Sequence, residues 1–329
     1  LDFNEIARRR FYGILIPQWE PKEKNYKMEF SVIESLSYNL RVFRDDLYPL
    51  LGGGNKSRKM NAIAKDIFLK NANALVTTGG FQSNHCRAVA VFAAQHKMKC
   101  TLVLHGSREE FEKQSGNAKI MRLSGAEIIF IDAGNQIGNA MDNAMAQYKN
   151  ENLKPYYIWG GGHTLEGGLA YINAIKELKN YCNHNNWSPD YIFHASGTGS
   201  TQSGILAGLD KYGFDNTEVI GVSVGRKSQQ ATKIVDDFYN ELRNHYTING
   251  QSRKSIVLDD YLMGGYGQYN KDLKKLCLNS LKEYGFTLDT CYTGKAFYGM
   301  LDLIQKNNIN NKNILFWHTG GIFNFLAEE

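Results

Sequence analysis

From residue 60 to residue 317 the chain keeps setting a short apolar run beside a longer amphipathic one, and this alternation narrows its fold more than any single motif. Strand-like runs are read at 40–43, 74–77, 100–104, 126–131, 155–159, 191–194, 219–224 and 313–317. Helical stretches are read at 60–70, 83–96, 111–123, 137–149, 165–181, 202–211, 228–245, 271–284 and 294–306. Strand then helix, repeated, predicts an α/β protein with parallel-rich sheets flanked by helices. So many strands would strain one open sheet, so two sheets are expected. The glycine clusters near positions 52 and 160 are the expected crossings between two lobes. Residues 1–38 show no such rhythm and are expected to be irregular.

A length of 329 residues suits one large or two ordinary domains. Lysine and arginine total 38 against 33 acidic residues, a mild excess that is interspersed. Its densest cluster is Arg8-Arg9-Arg10, so no nucleic-acid partner is expected. The five cysteines are odd in number and lack a C-x-x-C pair. That excludes a zinc knuckle and a redox motif, implies no metal, and points to reduced thiols in a cytoplasmic protein. No apolar run approaches the ~20 residues of a membrane span, so no membrane partner is expected. The chain begins on Leu1, so its first residues are expected to have been trimmed or omitted, and the stretch up to Glu5 lacks a signal-peptide shape.

Ligands of open α/β sheets bind beyond the carboxyl ends of strands. The clearest loop there runs Ser196-Gly197-Thr198-Gly199-Ser200-Thr201-Gln202-Ser203-Gly204 and opens a helix. Its glycines, hydroxyls and helix N-terminus make a cradle for an anion, typically a phosphate. An ordinary strand-to-helix turn is the plain alternative. It is no Walker A loop, and its third glycine comes too late for a dinucleotide fingerprint. Glu218, at the spacing of a ribose-binding acid, precedes its strand instead of ending it.

A second loop reads Gly52-Gly53-Gly54-Asn55-Lys56-Ser57-Arg58-Lys59. A basic helix start is the plain reading, but the helix dipole disfavours it. An amine cleared of neighbouring side chains can instead bond a carbonyl as a Schiff base, as pyridoxal phosphate does with a lysine. A third loop offers Gln82, Ser83, Asn84 and His85 after Gly79-Gly80. Ser83 suits an N-cap, and the group also suits a small carboxylate. Three further turns are ambiguous alone: 263–267, whose glycines would let Tyr266 project into a cleft, 291–295 and 318–321. No H-E-x-x-H, paired-carboxylate or G-x-S-x-G signature is present.

Taken together and in order, Arg44-Asp45-Asp46-Leu47, GGGNKSRK at 52–59, TTGGFQSNH at 77–85, GTGST at 197–201, YTGKA at 292–296 and HTGG at 318–321 carry a resemblance. The chain resembles the D-cysteine desulfhydrase / 1-aminocyclopropane-1-carboxylate (ACC) deaminase family, within the two-domain tryptophan-synthase-β-like (fold type II) pyridoxal-phosphate enzymes. The resemblance covers roughly residues 40–325. It implies a large cofactor-binding domain of residues 1–60 plus 163–329, an inserted small domain of 61–162, and pyridoxal 5'-phosphate between them. It implies Lys56 as the Schiff-base lysine and proton shuttle. Asn55 and Asn84 would contact the cofactor ring, Ser196, Gly197, Thr198, Gly199, Ser200 and Thr201 would hold its phosphate, and Thr293 and Thr319 would lie beside it. Ser83 with Gln82, Asn84 and His85 would bind the substrate carboxylate, and Tyr266 and Tyr292 would line the substrate face. Lys56, Ser83, Tyr266 and Tyr292 are the implied catalytic set. A homodimer is implied as well.

The implied activity is a β-eliminating lyase on a small amino acid, D-cysteine desulfhydrase foremost, giving pyruvate, ammonia and hydrogen sulfide. ACC deaminases resemble the 292–296 segment but carry a glutamate where this chain has Thr293. Threonine offers the cofactor's ring nitrogen no acidic proton, which favours elimination over opening a cyclopropane. ACC deaminase, L-cysteate lyase and a β-replacement enzyme are the alternatives. A nicotinamide-dependent reductase and a catalytically silent pyridoxal-phosphate-binding protein come after them. Three departures bear on substrate: Phe30 to Tyr38 stands where a proline-rich entry is usual, Ser200 stands where a glycine is common, and Gly161-Gly162-His163-Thr164 replaces the commoner Gly-Gly-Ser-Asn/Ser. His163 is therefore a candidate substrate contact, with a simple helix-cap replacement as the alternative.

Overall fold

The computed structural model describes residues 32–37, 39–250 and 252–328. The Arg8-Arg9-Arg10 cluster and most of the stretch expected to be irregular lie outside them. Among the described residues ten strands form two sheets. In chain order the strands are β1 (Ile33–Ser35), β2 (Leu40–Arg44), β3 (Ala74–Gly79), β4 (Lys99–His105), β5 (Glu127–Ile131), β6 (Pro155–Tyr157), β7 (Tyr191–Ser196), β8 (Glu218–Ser223), β9 (Ile256–Leu258) and β10 (Ile314–His318). The helices are α1 (Asn55–Leu69), α2 (Asn84–Gln95), α3 (Arg108–Lys113), α4 (Gly116–Leu123), α5 (Ile137–Asn150), α6 (Leu165–Asn185), α7 (Ser200–Tyr212), α8 (Ser228–His245), α9 (Lys271–Tyr284), α10 (Thr293–Lys306) and α11 (Ile322–Phe325).

The larger sheet has the order β1-β2-β10-β7-β8-β9, and the smaller one β5-β4-β3-β6. Every pairing is parallel except β1 with β2. Strand residues alternate between the two faces. Phe43, Ile192, Leu315 and Trp317 pack with α6, α7 and α8 on one face of the larger sheet. Val42, Phe193, Val222 and Phe316 pack with α9 and α10 on the other. In the smaller sheet Leu75, Leu102 and Leu104 join α1 and α2, whereas Val76, Val103 and Ile131 join α5. Burial on both faces is what makes these strands read as continuous apolar runs.

Some elements differ from expectation. The stretch read as one helix at 111–123 is two, α3 and α4, broken at Gln114 and Ser115. Ser107 closes a capping box with Glu110, and Ser115 begins α4 afresh. Strands β1 and β9, three residues each, were not anticipated. Helix α1 begins at Asn55, five residues ahead of its expected start. Gly53 and Gly54 have φ of 52° and 89°, and a Cβ on Gly53 would lie 1.9 Å from the Asp46 carbonyl oxygen. With the turn confined to glycine, the Gly54 carbonyl takes the first helical bonds, from the N–H groups of Ser57 and Arg58. Lys56 therefore sits in the first turn of a helix and not in a loop.

Candidate active site

Loops leaving the carboxyl ends of both sheets meet at one cavity of about 660 Å³. Its walls include Asn55, Lys56, Ser83, Asn84, His85, Ser196, Gly197, Thr198, Gly199, Thr201, Tyr266, Tyr292 and Thr319. These residues span positions 55 to 319, so the fold gathers most of the candidates that the sequence singled out.

Lys56 Nζ donates to the Gly161 carbonyl at 3.1 Å. Desolvation by the surrounding walls lowers its pKa to about 8, with a small opposing contribution from Lys59. Its amine is thus partly unprotonated near neutral pH, which a nucleophile requires. One turn on, Lys59 is almost fully buried, and its Nζ donates to Ser200 Oγ at 2.6 Å and to Gly161 O at 3.4 Å. Burial first, and Lys56 second, hold Lys59 well below the usual ammonium range. No carboxylate lies within ion-pair distance of either amine among the described residues. Buried amines without a counter-charge give up their protons readily, and here they face a glycine loop at a helix N-terminus, which itself attracts anions.

The loop at 196–201 is held from several sides. Ser196 Oγ donates to Gln202 Oε1 at 3.0 Å, and Gln202 Nε2 donates to Ile256 O at 2.8 Å. Asn55 Nδ2 donates to Thr201 Oγ1 at 3.2 Å. The Asn55 backbone N–H bonds the Thr319 carbonyl at 3.0 Å, joining the start of α1 to the end of β10.

On the opposite wall Ser83 caps α2, its Oγ accepting from the Cys86 N–H at 3.1 Å. His85 Nε2 lies 2.8 Å from Thr77 Oγ1, whose own proton goes to Ile158 O. Nε2 must therefore carry the hydrogen, which leaves Nδ1 as a lone-pair acceptor. Burial, with Lys56 and Lys59 close by, holds His85 well below the usual histidine pKa and keeps it neutral. Asn84 is committed at both ends, donating to Asn324 Oδ1 at 2.7 Å and accepting from Asn117 Nδ2 at 3.1 Å. Tyr266 and Tyr292 share a hydroxyl–hydroxyl hydrogen bond, with ring planes crossing at 78°. Burial raises both phenols above their usual pKa, so both stay protonated.

Four candidates lie off the cavity wall. Gln82 turns outward, donating to Ser115 O at 3.0 Å and accepting from the Asn117 N–H at 3.1 Å. Ser200 is buried behind the loop and receives Lys59. Thr293 is fully buried; its hydroxyl donates to Asp289 Oδ2 at 2.8 Å and accepts from the Asp289 N–H at 3.1 Å. His163 points its Nδ1 at the Thr198 carbonyl, 2.9 Å away, instead of at the cavity. In each case a polar partner claims the side chain: for Thr293 it lies four residues back, and for the other three it lies more than thirty residues away.

The cavity also has walls that the sequence reading passed over: Thr78, His105, Trp159, His194 and Arg226. Arg226 follows the end of β8 and donates to the Gly197 carbonyl. The strand-end rule applied to the other loops would have found it. His194 Nδ1 bonds the Ala195 carbonyl, and its Nε2 is a buried acceptor with no partner among the described residues. Lys59 was legible as the residue three after Lys56, on the same helix face. Glu218 opens β8, at the end of the sheet away from the cavity, and so has no part in it. No group of His, Cys, Asp and Glu side chains suited to a metal ion occurs among the described residues. No helix among them is long and apolar enough to cross a membrane.

Residues 34–320 match the family model described as pyridoxal-phosphate dependent enzyme. The D-cysteine desulfhydrase of Klebsiella pneumoniae is 32% identical over 294 residues, 88% of each chain. A Pyrococcus abyssi protein provisionally assigned as a 1-aminocyclopropane-1-carboxylate deaminase is 31% identical over 317 residues, 95% of this chain and 92% of that one. Among solved structures, an ACC deaminase homologue superposes with a TM-score of 0.79 at 31% identity, covering 87% of this chain and 85% of its own. A threonine deaminase of Solanum lycopersicum, 14% identical with a TM-score of 0.60, shares the fold; it covers 91% of this chain and 79% of its own.

Proposed function

This chain belongs to the pyridoxal-phosphate dependent enzymes, in the D-cysteine desulfhydrase / ACC deaminase family, and is a lyase; on that premise we propose that it catalyses β-elimination from a small amino acid, D-cysteine foremost. The products are pyruvate, ammonia and hydrogen sulfide. The observation that carries this reading is Lys56, an amine with a pKa of about 8 at the wall of the shared cavity.

The residues present fit the cofactor. A phosphate would supply the counter-charge that lets Lys59 hold its proton, and would meet the free N–H groups at the start of α7. A ligand donor answers the orphaned His194 Nε2. Loop 197–201, Asn55 and Thr319 would hold the phosphate end, with Lys56 at the aldehyde end. When bound, pyridoxal phosphate supplies a carbonyl that captures an amine and a sink for the electrons left when the α-proton departs.

The chain's own groups divide the remaining work. Lys56 Nζ takes the α-proton. Ser83 Oγ and the N–H groups at the start of α2 bind the substrate carboxylate, with neutral His85 beneath them. Tyr266 and Tyr292 share one hydrogen bond between two hydroxyls, so one phenolic proton remains to meet the departing thiolate. Thr293 brings no ionisable group, and its hydroxyl proton is committed to Asp289. A neutral residue there supports elimination over ring opening, because no carboxylate keeps the ring nitrogen protonated.

ACC deamination is the second reading, favoured by the TM-score of 0.79 with a protein described as an ACC deaminase homologue. Supplying D-cysteine, L-cysteine, cysteate and ACC separately, and measuring pyruvate, sulfide and 2-oxobutyrate, tests the choice. Pyruvate with sulfide from D-cysteine is expected; 2-oxobutyrate from ACC with no sulfide from D-cysteine overturns it. The division into 61–162 and 1–60 plus 163–329 is proposed likewise; it draws support from the smaller sheet, whose strands all lie between Ala74 and Tyr157. A homodimer in the cytoplasm is proposed from the resemblance, and the five free, buried cysteines suit a reducing compartment.

A further inference from the structure

We infer that His163 is a positioning residue for the cofactor's phosphate: it locks the Thr198–Gly199 peptide so that the Gly199 N–H, and not the Thr198 carbonyl, faces the cavity. The inference rests on the pyridoxal-phosphate reading above and reassigns His163 from the substrate side.

The geometry begins with the turn that leaves β6. Gly161 and Gly162 have φ of 75° and 65°, which reverses the chain against the phosphate loop. The approach is close enough that a Cβ on Gly161 would lie 2.7 Å from the Thr198 side chain. The reversal aims the Gly161 carbonyl at Lys56 and Lys59 and delivers the His163 ring to the Thr198 carbonyl, 2.9 Å from Nδ1. A carbonyl only accepts, so Nδ1 carries the hydrogen and the tautomer is fixed. The ring is steadied by Phe238, whose centroid lies 4.1 Å away.

His163 does not line the cavity, whereas Thr198 and Gly199 do. A carbonyl bonded to His163 therefore points away from the cavity. In a trans peptide the C=O and the following N–H lie on opposite edges of one plane, so the Gly199 N–H points in. Gly199, with φ of 86°, has no Cβ to oppose a flip of that peptide. A flip would turn a carbonyl oxygen toward a phosphate and withdraw a donor, and the His163 hydrogen bond opposes it. Burial, with Lys59, Lys56 and Arg226 nearby, lowers the His163 pKa to about 4 against the opposing hydrogen bond, so the ring stays neutral and the device works across the ordinary pH range.

Cofactor dissociation constants of the stripped enzyme test the inference, read by titration with pyridoxal phosphate. His163→Phe keeps the ring against Phe238 and removes the donor; binding about tenfold weaker is expected, the worth of one hydrogen bond. His163→Asn restores an N–H at the same reach and should bind within about threefold of the wild type. The thermal midpoint of the stripped protein, measured in parallel, should not separate the two variants. Should the phenylalanine variant fold poorly, His163→Leu against His163→Asn makes the same comparison at matched size. Equal affinity in wild type and the donor-less variant, or equal loss with and without the donor, overturns the inference and leaves the family reading standing. Failure of the wild type to bind the cofactor overturns both.

Discussion

Lys56 and Lys59, one turn apart on α1, both direct their amino groups at the carbonyl oxygen of Gly161, at 3.1 and 3.4 Å. Only Lys59 continues to the phosphate loop, through Ser200. One turn of helix thus separates two tasks: Lys56 offers an amine to the cavity, and Lys59 sets a second amine, which a bound anion would charge, behind the anion cradle.

That separation has a pH signature. Only the unprotonated amine attacks a carbonyl, and the unprotonated fraction of Lys56 grows as pH rises toward and past its pKa of about 8. The rate at which stripped enzyme captures pyridoxal phosphate should therefore climb from pH 6 and level off above about 8. Stopped-flow absorbance measures it. A rate still rising steeply at pH 10 would mean an ordinary solvated lysine.

The tyrosine pair predicts a split between turnover and binding. Tyr292→Phe removes a hydroxyl that the Tyr266 hydroxyl meets, and with it the hydrogen bond that orients the remaining phenolic proton toward the leaving thiolate. A fall of about 10²-fold in kcat with little change in KM is expected, the usual scale for losing one general acid. Steady-state kinetics with D-cysteine measure this. A change confined to KM would make the pair a binding surface.

Beneath the site, Asp45 is fully buried and accepts from Arg58 Nε at 2.7 Å, from Trp317 Nε1 at 2.8 Å and from the Tyr171 hydroxyl. It ties α1 to β10 and α6, and so fixes where Lys56 begins. Asp45→Asn leaves the buried Arg58 guanidinium short of its counter-charge. A loss of about 3 kcal/mol is expected, at the lower end for breaking a buried pair. Glu177, on the second arm of Arg58 at 2.8 Å, limits the damage. Urea denaturation measures the loss.

The sequence revealed the architecture where periodicity was long. Helices such as α8 and strands such as β7 announce themselves through repeated apolar spacing. The site was legible wherever glycine clears space after a strand, as at residues 52–54 and 197–199. What stayed hidden depends on long-range partners. Nothing local says that Asn84 will be claimed by Asn324, 240 positions away. His163 stood out as a departure, but its partner, a backbone carbonyl 35 positions on, is a property of the fold. Lys59 read as part of a basic helix start: its spacing from Lys56 was visible, but burial leaves no local trace in the sequence.

Thr293 offers a test of selectivity. Thr293→Glu sets a carboxylate at the N-terminus of α10, beside Asp289, whose acidity burial already weakens. The ratio of 2-oxobutyrate from ACC to pyruvate from D-cysteine should rise, even as the crowded acids lower stability. An unchanged ratio would remove the electronic argument for elimination.

The attachment point of the cofactor tests the account most directly. Enzyme loaded with pyridoxal phosphate, reduced with borohydride and digested, should carry the pyridoxyl group on the peptide containing Lys56, and Lys56→Ala should carry none. A label on Lys59, or on any other lysine, would contradict the assignment on which the whole site is built.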